Sequence, residues 1–274
     1  MNKGFRFAFI VLLTVLLTIL TQVGGVLLLF SVFLCRKLSR KRQFFSMLPI
    51  RVLVFLLIYL AATFIVVPFV ARPFHRVPLP LNAPHLQPLR LYTCLLNRHY
   101  VRPELRDASI KVSEQMAAAY PGTVTHYLDG CFPFINKFPL IPHLSHNDGK
   151  KLDLSFFYTS AKGEAVNECP SPIGYGICEE PRGDEQNTAV FCAENGYWQY
   201  SLLKKLVPQQ RKLQFSFDEQ RTARLVELFG EQIAIGKIFI EPHLKVRLKL
   251  KSKKIAFHGC HAVRHDDHIH VQLQ

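Results

Sequence analysis

The sequence predicts an α+β protein: a small antiparallel sheet with flanking helices, preceded by two transmembrane helices. Three observations predict it. Two apolar runs near the N-terminus, Phe7 to Leu34 and Val52 to Val70, are each long enough to cross a hydrocarbon layer of roughly 30 Å. Beyond residue 90, short strand-like runs are interspersed with stretches of helical periodicity. Of the 274 residues, 49% are hydrophobic and only 20% charged, so there is ample apolar area to bury and intrinsic disorder is excluded.

The anchor comes first, as residues 1–71. A cleaved signal sequence has a short apolar region and a small-residue cleavage site, whereas the first run is long and leads straight into Arg36 and Lys37. Arg36, Lys37, Arg40, Lys41, Arg42 and Arg51 lie between the two runs, and only Lys3 and Arg6 precede the first. Basic residues near span ends stay cytoplasmic. The expectation is therefore a cytoplasmic loop with both termini outside and an extracytoplasmic C-terminal region.

Residues 72–90 carry Pro73, Pro78, Pro80, Pro84 and Pro88, which reads as an extended, semi-rigid linker. Residues 91–274 are the right size for one domain with its own core. Within it, Asp107 to Tyr120 reads as a helix stopped by Pro121-Gly122. Thr123 to Leu128 and Leu152 to Tyr158 read as strands. Asp218 to Gln232 is an amphipathic helix with Thr222, Val226, Phe229 and Ile233 on one side. Lys237 to Ile240 and His268 to Leu273 are short strands.

Six of seven cysteines (Cys94, Cys131, Cys169, Cys178, Cys192, Cys260) fall in the outward region, where an even number suggests disulfides, with fifteen pairings open. None forms a Cys-x-x-Cys pair, which argues against a cysteine-based zinc site. The formal net charge is +14. Lys245, Arg247, Lys249, Lys251 and Lys253 alternate with Val246, Leu248 and Leu250. As a strand this stretch shows a cationic face, suited to anionic polymers or lipid headgroups, or simply a charged edge. An outward location disfavours nucleic acid.

Two histidine clusters carry the chemistry. In a strand, residues two apart share a face, so His268 and His270 stand side by side while Ile269 and Val271 point to the core. Gly149 permits a turn after which Asp153 alternates with Leu152 and Leu154, bringing a loop histidine, His146, back beside a strand carboxylate. Two histidines and one carboxylate leave a tetrahedral zinc with an open position, the arrangement of a hydrolytic site.

The pattern His143-x-x-His146-x-x-Gly149-x-x-x-Asp153, followed by His265-x-x-His268-x-His270-Val271, resembles the LAS-type zinc metallopeptidases, and among them the penicillin-insensitive murein endopeptidases. Lys237-Ile-Phe-Ile-Glu-Pro242 is similar to that family's strand ending in a proline. The resemblance spans about Thr123 to Phe157 and Glu219 to Leu273. It implies Zn²⁺ held by His146, Asp153 and His270, a catalytic His268, and His143 and His265 as neighbouring or substrate-facing groups. It also implies hydrolysis of peptide cross-links in peptidoglycan. The alternatives are a D,D-carboxypeptidase acting on stem peptides, or a non-catalytic, membrane-tethered wall-binding protein. It further suggests a short helix after Pro242 in place of the cationic strand. Thr159 to Tyr200 has no counterpart in the family pattern; it either shapes a substrate groove or is a disulfide-stapled excursion.

Overall fold

A computed structural model describes residues 3–39 and 47–274. Arg40, Lys41 and Arg42 of the basic loop lie outside the described residues. The chain is a mixed α+β protein with small sheets and apolar helices at its N-terminal end.

The first apolar run is not one span. It divides into α1 (Lys3–Thr21) and α2 (Gly24–Ser39), with the chain reversing at Gln22, whose φ is +65°. Thr21 Oγ1 accepts from the Gly24 amide at 2.7 Å and closes the turn. A Cβ at Gly25 would strike Thr18 and Thr14, so the close packing of α2 on α1 requires glycine there. The sequence pattern missed this break because hydropathy is blind to a two-residue reversal inside a long apolar run. The start of α1 and the Arg36–Lys37 end of α2 therefore lie at the same end of the helix layer, which removes the basis for placing the N-terminus opposite the basic loop.

The third helix, α3 (Leu48–Val70), is continuous but passes through a π-turn at Ala62–Val66 just before Pro68. Proline lacks a donor and its ring clashes with the carbonyl four residues back, so a widened turn is the local solution. Helices of spanning length and apolarity are Gly4–Thr21 and Leu48–Val70.

Residues 72–90 are integrated into the domain, which corrects the expectation of a spacer. Arg76, Leu79 and Leu86 are buried. Strand β1 (Val77–Pro78) pairs with β3 (Tyr100–Val101), and β2 (Leu86–Pro88) forms one edge of the main sheet. Pro78 and Pro88 sit in edge strands, where a missing amide donor breaks no ladder.

The main sheet has six strands. In spatial order they are β10 (Ile255–Ala256), β9 (Ile235–Phe239), β11 (His268–Leu273), β5 (Lys151–Ser155), β4 (Thr125–Tyr127) and β2. Its centre is antiparallel; the β10–β9 and β4–β2 pairs at the edges are parallel. A smaller sheet joins β7 (Ala165–Val166), β6 (Tyr158–Ser160) and β8 (Phe215–Phe217). The run expected as one strand to Tyr158 is thus split between two sheets.

Helix α4 (Leu91–Leu95) leads into the domain, and α5 (Pro103–Ala119) begins earlier than periodicity indicated, because Pro103 sits in the first turn where no amide bond is needed. After α6 (Thr188–Glu194) and α7 (Leu202–Leu206), α8 (Glu219–Glu231) is capped by Asp218, which accepts from the Arg221 amide at 3.0 Å. It stops short of Ile233, which is 88% exposed and not on the buried face. The stretch after Pro242 is helix α9 (Pro242–Arg247), so the cationic strand does not form.

The core lies between one face of the sheet and α5 and α8. Leu105, Val112 and Met116 meet Leu225, Val226 and Phe229 over Leu152, Leu154, Ile269 and Val271, all buried. The strand alternation then turns Asp153, His268 and His270 to the other face.

Candidate metal centre

Sheet register builds two corners of the site. Strands β5 and β11 pair antiparallel with Asp153 directly opposite His270 and Ser155 opposite His268. Opposed residues project to the same face, so the carboxylate and the imidazole meet without any loop having to place them. The third corner comes from the loop of residues 131–149. Gly149 closes this loop at φ +72°, and a Cβ there would meet Arg76 Nε at 2.5 Å. His146 Nδ1 lies 3.0 Å from the Gly130 carbonyl oxygen. A carbonyl only accepts, so Nδ1 carries the proton and Nε2 presents its lone pair.

Three ligand atoms converge. His270 Nδ1 is 2.9 Å from Asp153 Oδ1 and 3.1 Å from His146 Nε2, and His146 Nε2 is 3.2 Å from Asp153 Oδ1. Bonds of 2.0–2.1 Å at tetrahedral angles space ligand atoms roughly 3.3 Å apart, so the triangle has the size a zinc ion demands. All three residues are buried. Without a cation, one proton on His270 Nδ1 holds the lone pair of His146 and the carboxylate together; a divalent ion in its place satisfies all three.

The surrounding groups are ordered by carboxylates. Asp153 Oδ2 accepts from the Tyr175 hydroxyl at 2.9 Å, and His143 Nδ1 stands 3.4 Å from the same oxygen. His143 Nδ1 also lies 3.0 Å from Asp129 Oδ2, and Arg98 grips Asp129 through two bonds of 2.8 and 2.7 Å. His268 Nδ1 donates to Asp267, whose other oxygen accepts from the Gly176 amide at 2.5 Å. This leaves His268 Nε2 facing the triangle, 3.7 Å from Asp153 Oδ1. His265 is buried beside them, its ring centroid 4.9 Å from that of His268. The Nε2 atoms of His143, His268 and His270 are buried without a hydrogen-bond partner. Orphaned polar atoms are costly in a folded interior, and a cluster of them marks a place built to receive something.

Electrostatics follow from burial and this arrangement. Burial pushes the Asp153 carboxyl up, but His146 and His268 more than reverse it and hold it well below the usual carboxylate range. Burial pulls His270 down to about 4 despite Asp153, so it is a neutral imidazole at pH 7, the form that binds a metal. His265 is held well below its ordinary value by burial and then by His268. Burial also pulls on His268, but Asp153 and Asp267 outweigh it and raise the imidazole to about 9.

All six residues singled out in the sequence, His143, His146, Asp153, His265, His268 and His270, are buried and gathered here. Of the two aspartates that precede His268 in the chain, Asp267 is its partner; Asp266 instead pairs with Arg264. Cys178, Glu180 and Asp266 also place ligand atoms within 4.8 Å of one another. There the Arg264 guanidinium already supplies the cation, contacting both carboxylates.

Tyr175, Asp129 and Arg98 were not foreseen. Tyr175 belongs to the stretch without a counterpart in the family pattern, which thereby enters the site, stacking edge-on against His143 and His268. A signal existed: Tyr175 lies between Gly174 and Gly176, at φ +87° and +81°, and side chains there would strike Leu128 and Val207. The same stretch is stapled by one disulfide, Cys192–Cys260; Cys35, Cys94, Cys131, Cys169 and Cys178 are free and buried. No protein-family profile matches the chain, and no curated protein matches it in sequence.

Proposed function

We propose that the chain is a membrane-anchored, zinc-dependent peptidase of the LAS type that hydrolyses peptide cross-links in peptidoglycan. The observation that carries this reading is the triangle of His146, Asp153 and His270 beside a carboxylate-oriented His268. Zinc held by the triangle supplies a Lewis acid for the scissile carbonyl and lowers the pKa of a water molecule to about 7.

The chain's own groups do the rest. Asp267 fixes the His268 tautomer so that Nε2 faces the reacting atoms, where it holds a proton and stabilises developing negative charge. Tyr175 and His143 orient Asp153, and Arg98 and Asp129 hold His143. His265 packs against His268 and His270 and limits their movement.

The helix layer supports an extracytoplasmic position for the domain. Arg36 and Lys37 end α2 at the side where α1 begins, whereas the domain follows α3 at the other side. With basic residues kept cytoplasmic, the N-terminus is inside and the domain outside, facing peptidoglycan. Its partners are then the wall polymer and the bilayer.

The test is mass spectrometry of cross-linked muropeptide dimers incubated with the detergent-solubilised full chain, with and without a chelator. Chelator-sensitive conversion of dimers to monomers is expected. Release of a terminal alanine from intact dimers would instead identify a D,D-carboxypeptidase. Dimers left intact by a zinc-loaded, folded chain would remove the peptidoglycan substrate. Metal analysis separates the roles: His146→Ala and His270→Ala lose zinc and activity together, whereas His268→Ala keeps zinc and loses about 10²–10⁴-fold in turnover.

A further inference from the structure

The exposed apolar surface of α3 does not stop where the domain begins. Ile65, Val66, Phe69 and Val70 on its C-terminal part, and Phe74 just beyond, are exposed. Phe134 carries this surface onto the loop of residues 131–149. Its amide donates to Gln22 Oε1 at 2.8 Å, at the tip of the α1–α2 hairpin. Its ring meets Phe74 with centroids 5.3 Å apart, and, like Val23, it packs against the buried cluster of Val67, Ala71 and Tyr100. The Lys137 amide bonds the Asn147 carbonyl at 2.8 Å and holds the loop closed.

From this junction the loop presents Ile135, Ile141 and Leu144, which are 57%, 60% and 58% exposed. Exposed Arg72 and Lys137 are interspersed with them, and the Arg72 guanidinium lies 5.1 Å from the Phe69 ring centroid. Apolar and aromatic side chains mixed with long cations are the composition of surfaces at the headgroup–acyl boundary, where basic side chains reach phosphates from an apolar bed. Continuity with a helix of spanning length decides between occupants. A second protein chain would have to cover α3 and the loop together, where lipid already meets the helix.

We propose that the loop of residues 131–149 rests in the interfacial layer of the lipid bilayer beside α3, so that His143 and His146, which bracket Leu144, are held at the membrane surface. The placement depends on neither zinc nor catalysis. A site held there meets substrates attached to, or lying on, the bilayer.

The experiment uses tryptophan fluorescence of the full chain in phosphatidylethanolamine–phosphatidylglycerol vesicles containing lipids brominated along the acyl chain. Trp198 is the only native tryptophan and sits on the disulfide-tethered insertion. It serves as the reference in the unsubstituted chain. In a Trp198→Phe background, Ile135→Trp, Ile141→Trp and Leu144→Trp place single reporters at exposed positions, three independent chances for a folded variant. Each is expected to be quenched about twofold or more strongly than Trp198, most strongly by bromines near the headgroups. Quenching no greater than that of Trp198 would overturn the proposal. So would blue-shifted emission insensitive to bromine, which would mean that protein covers the face.

Discussion

The Tyr175 hydroxyl donates to Asp153 Oδ2, leaving Oδ1 of the same carboxylate turned toward His146 and His270. One hydrogen bond thus assigns the two oxygens to different tasks. Tyr175→Phe keeps the ring against His143 and His268 and removes that bond, together with the one the hydroxyl accepts from the Asp129 amide at 3.2 Å. Loss of a bond orienting a metal ligand typically weakens affinity about 10–100-fold. Competition with a chromogenic chelator should show a drop of that size for zinc on the solubilised chain. Unchanged affinity would mean that strand register and His143 suffice to orient Asp153.

Gly149 bears on the same triangle from the other side. Its φ of +72° is strained for any side chain, and a Cβ would press on Arg76, which is buried and bonded to Asn136 at 2.5 Å. Gly149→Ala therefore has to shift the loop that delivers His146. Zinc affinity is expected to fall while the thermal unfolding midpoint drops by only a few degrees, since the β5–β11 pair stays intact. A midpoint loss with full zinc affinity would show that Arg76 yields instead of the loop.

Of these two residues, Gly149 was legible in the sequence and Tyr175 was not. Period-two alternation carried His268 and His270 onto one face and Asp153 onto a strand, because alternation is a local property of the backbone. The break at Gln22 was not legible, since it depends on glycine packing against Thr14 and Thr18 within an unbroken apolar run. Nor was the incorporation of residues 72–90: proline content reads as extension, and whether an extended segment finds a sheet edge is decided by tertiary contacts. Tyr175 was hidden for a related reason. Its role rests on contacts with residues more than twenty positions away, and only its flanking glycines hinted at a built turn.

Cysteine pairing offers a direct count. One disulfide among seven cysteines leaves five thiols. Denaturation without reductant should expose five groups to a thiol reagent, and seven after reduction. The Cys192–Cys260 bridge closes a separation of 68 residues, for which chain-entropy arguments give about 4 kcal/mol of stabilisation. Reduction of the folded chain should accordingly lower the unfolding midpoint of the region holding α6 and the segment before His265. A count of one or three thiols would mean that further pairs form.

Glu241 gives the fold a pH dependence whose sign can be worked out. Its carboxyl is buried, with the Tyr200 hydroxyl and the His265 amide donating to Oε1 at 2.5 and 3.1 Å. Burial, and then the charge of Asp266, push its pKa from an ordinary 4.5 to about 7, although Tyr200 and His265 act the other way. Between those values the folded chain holds a proton that the unfolded chain has released. The resulting stabilisation is present in full below about pH 4.5 and is lost as pH rises through 7, amounting to about 3 kcal/mol in all. Glu241→Gln keeps an oxygen for Tyr200 and His265 but cannot ionise. Against the wild type, the variant should gain in unfolding temperature as pH is raised from 5 to 8, with the gain spread steadily between pH 5 and 7 and levelling off above that. Parallel curves across that range would mean that Glu241 ionises near its ordinary value and that Asp266 and the surrounding burial do not govern it.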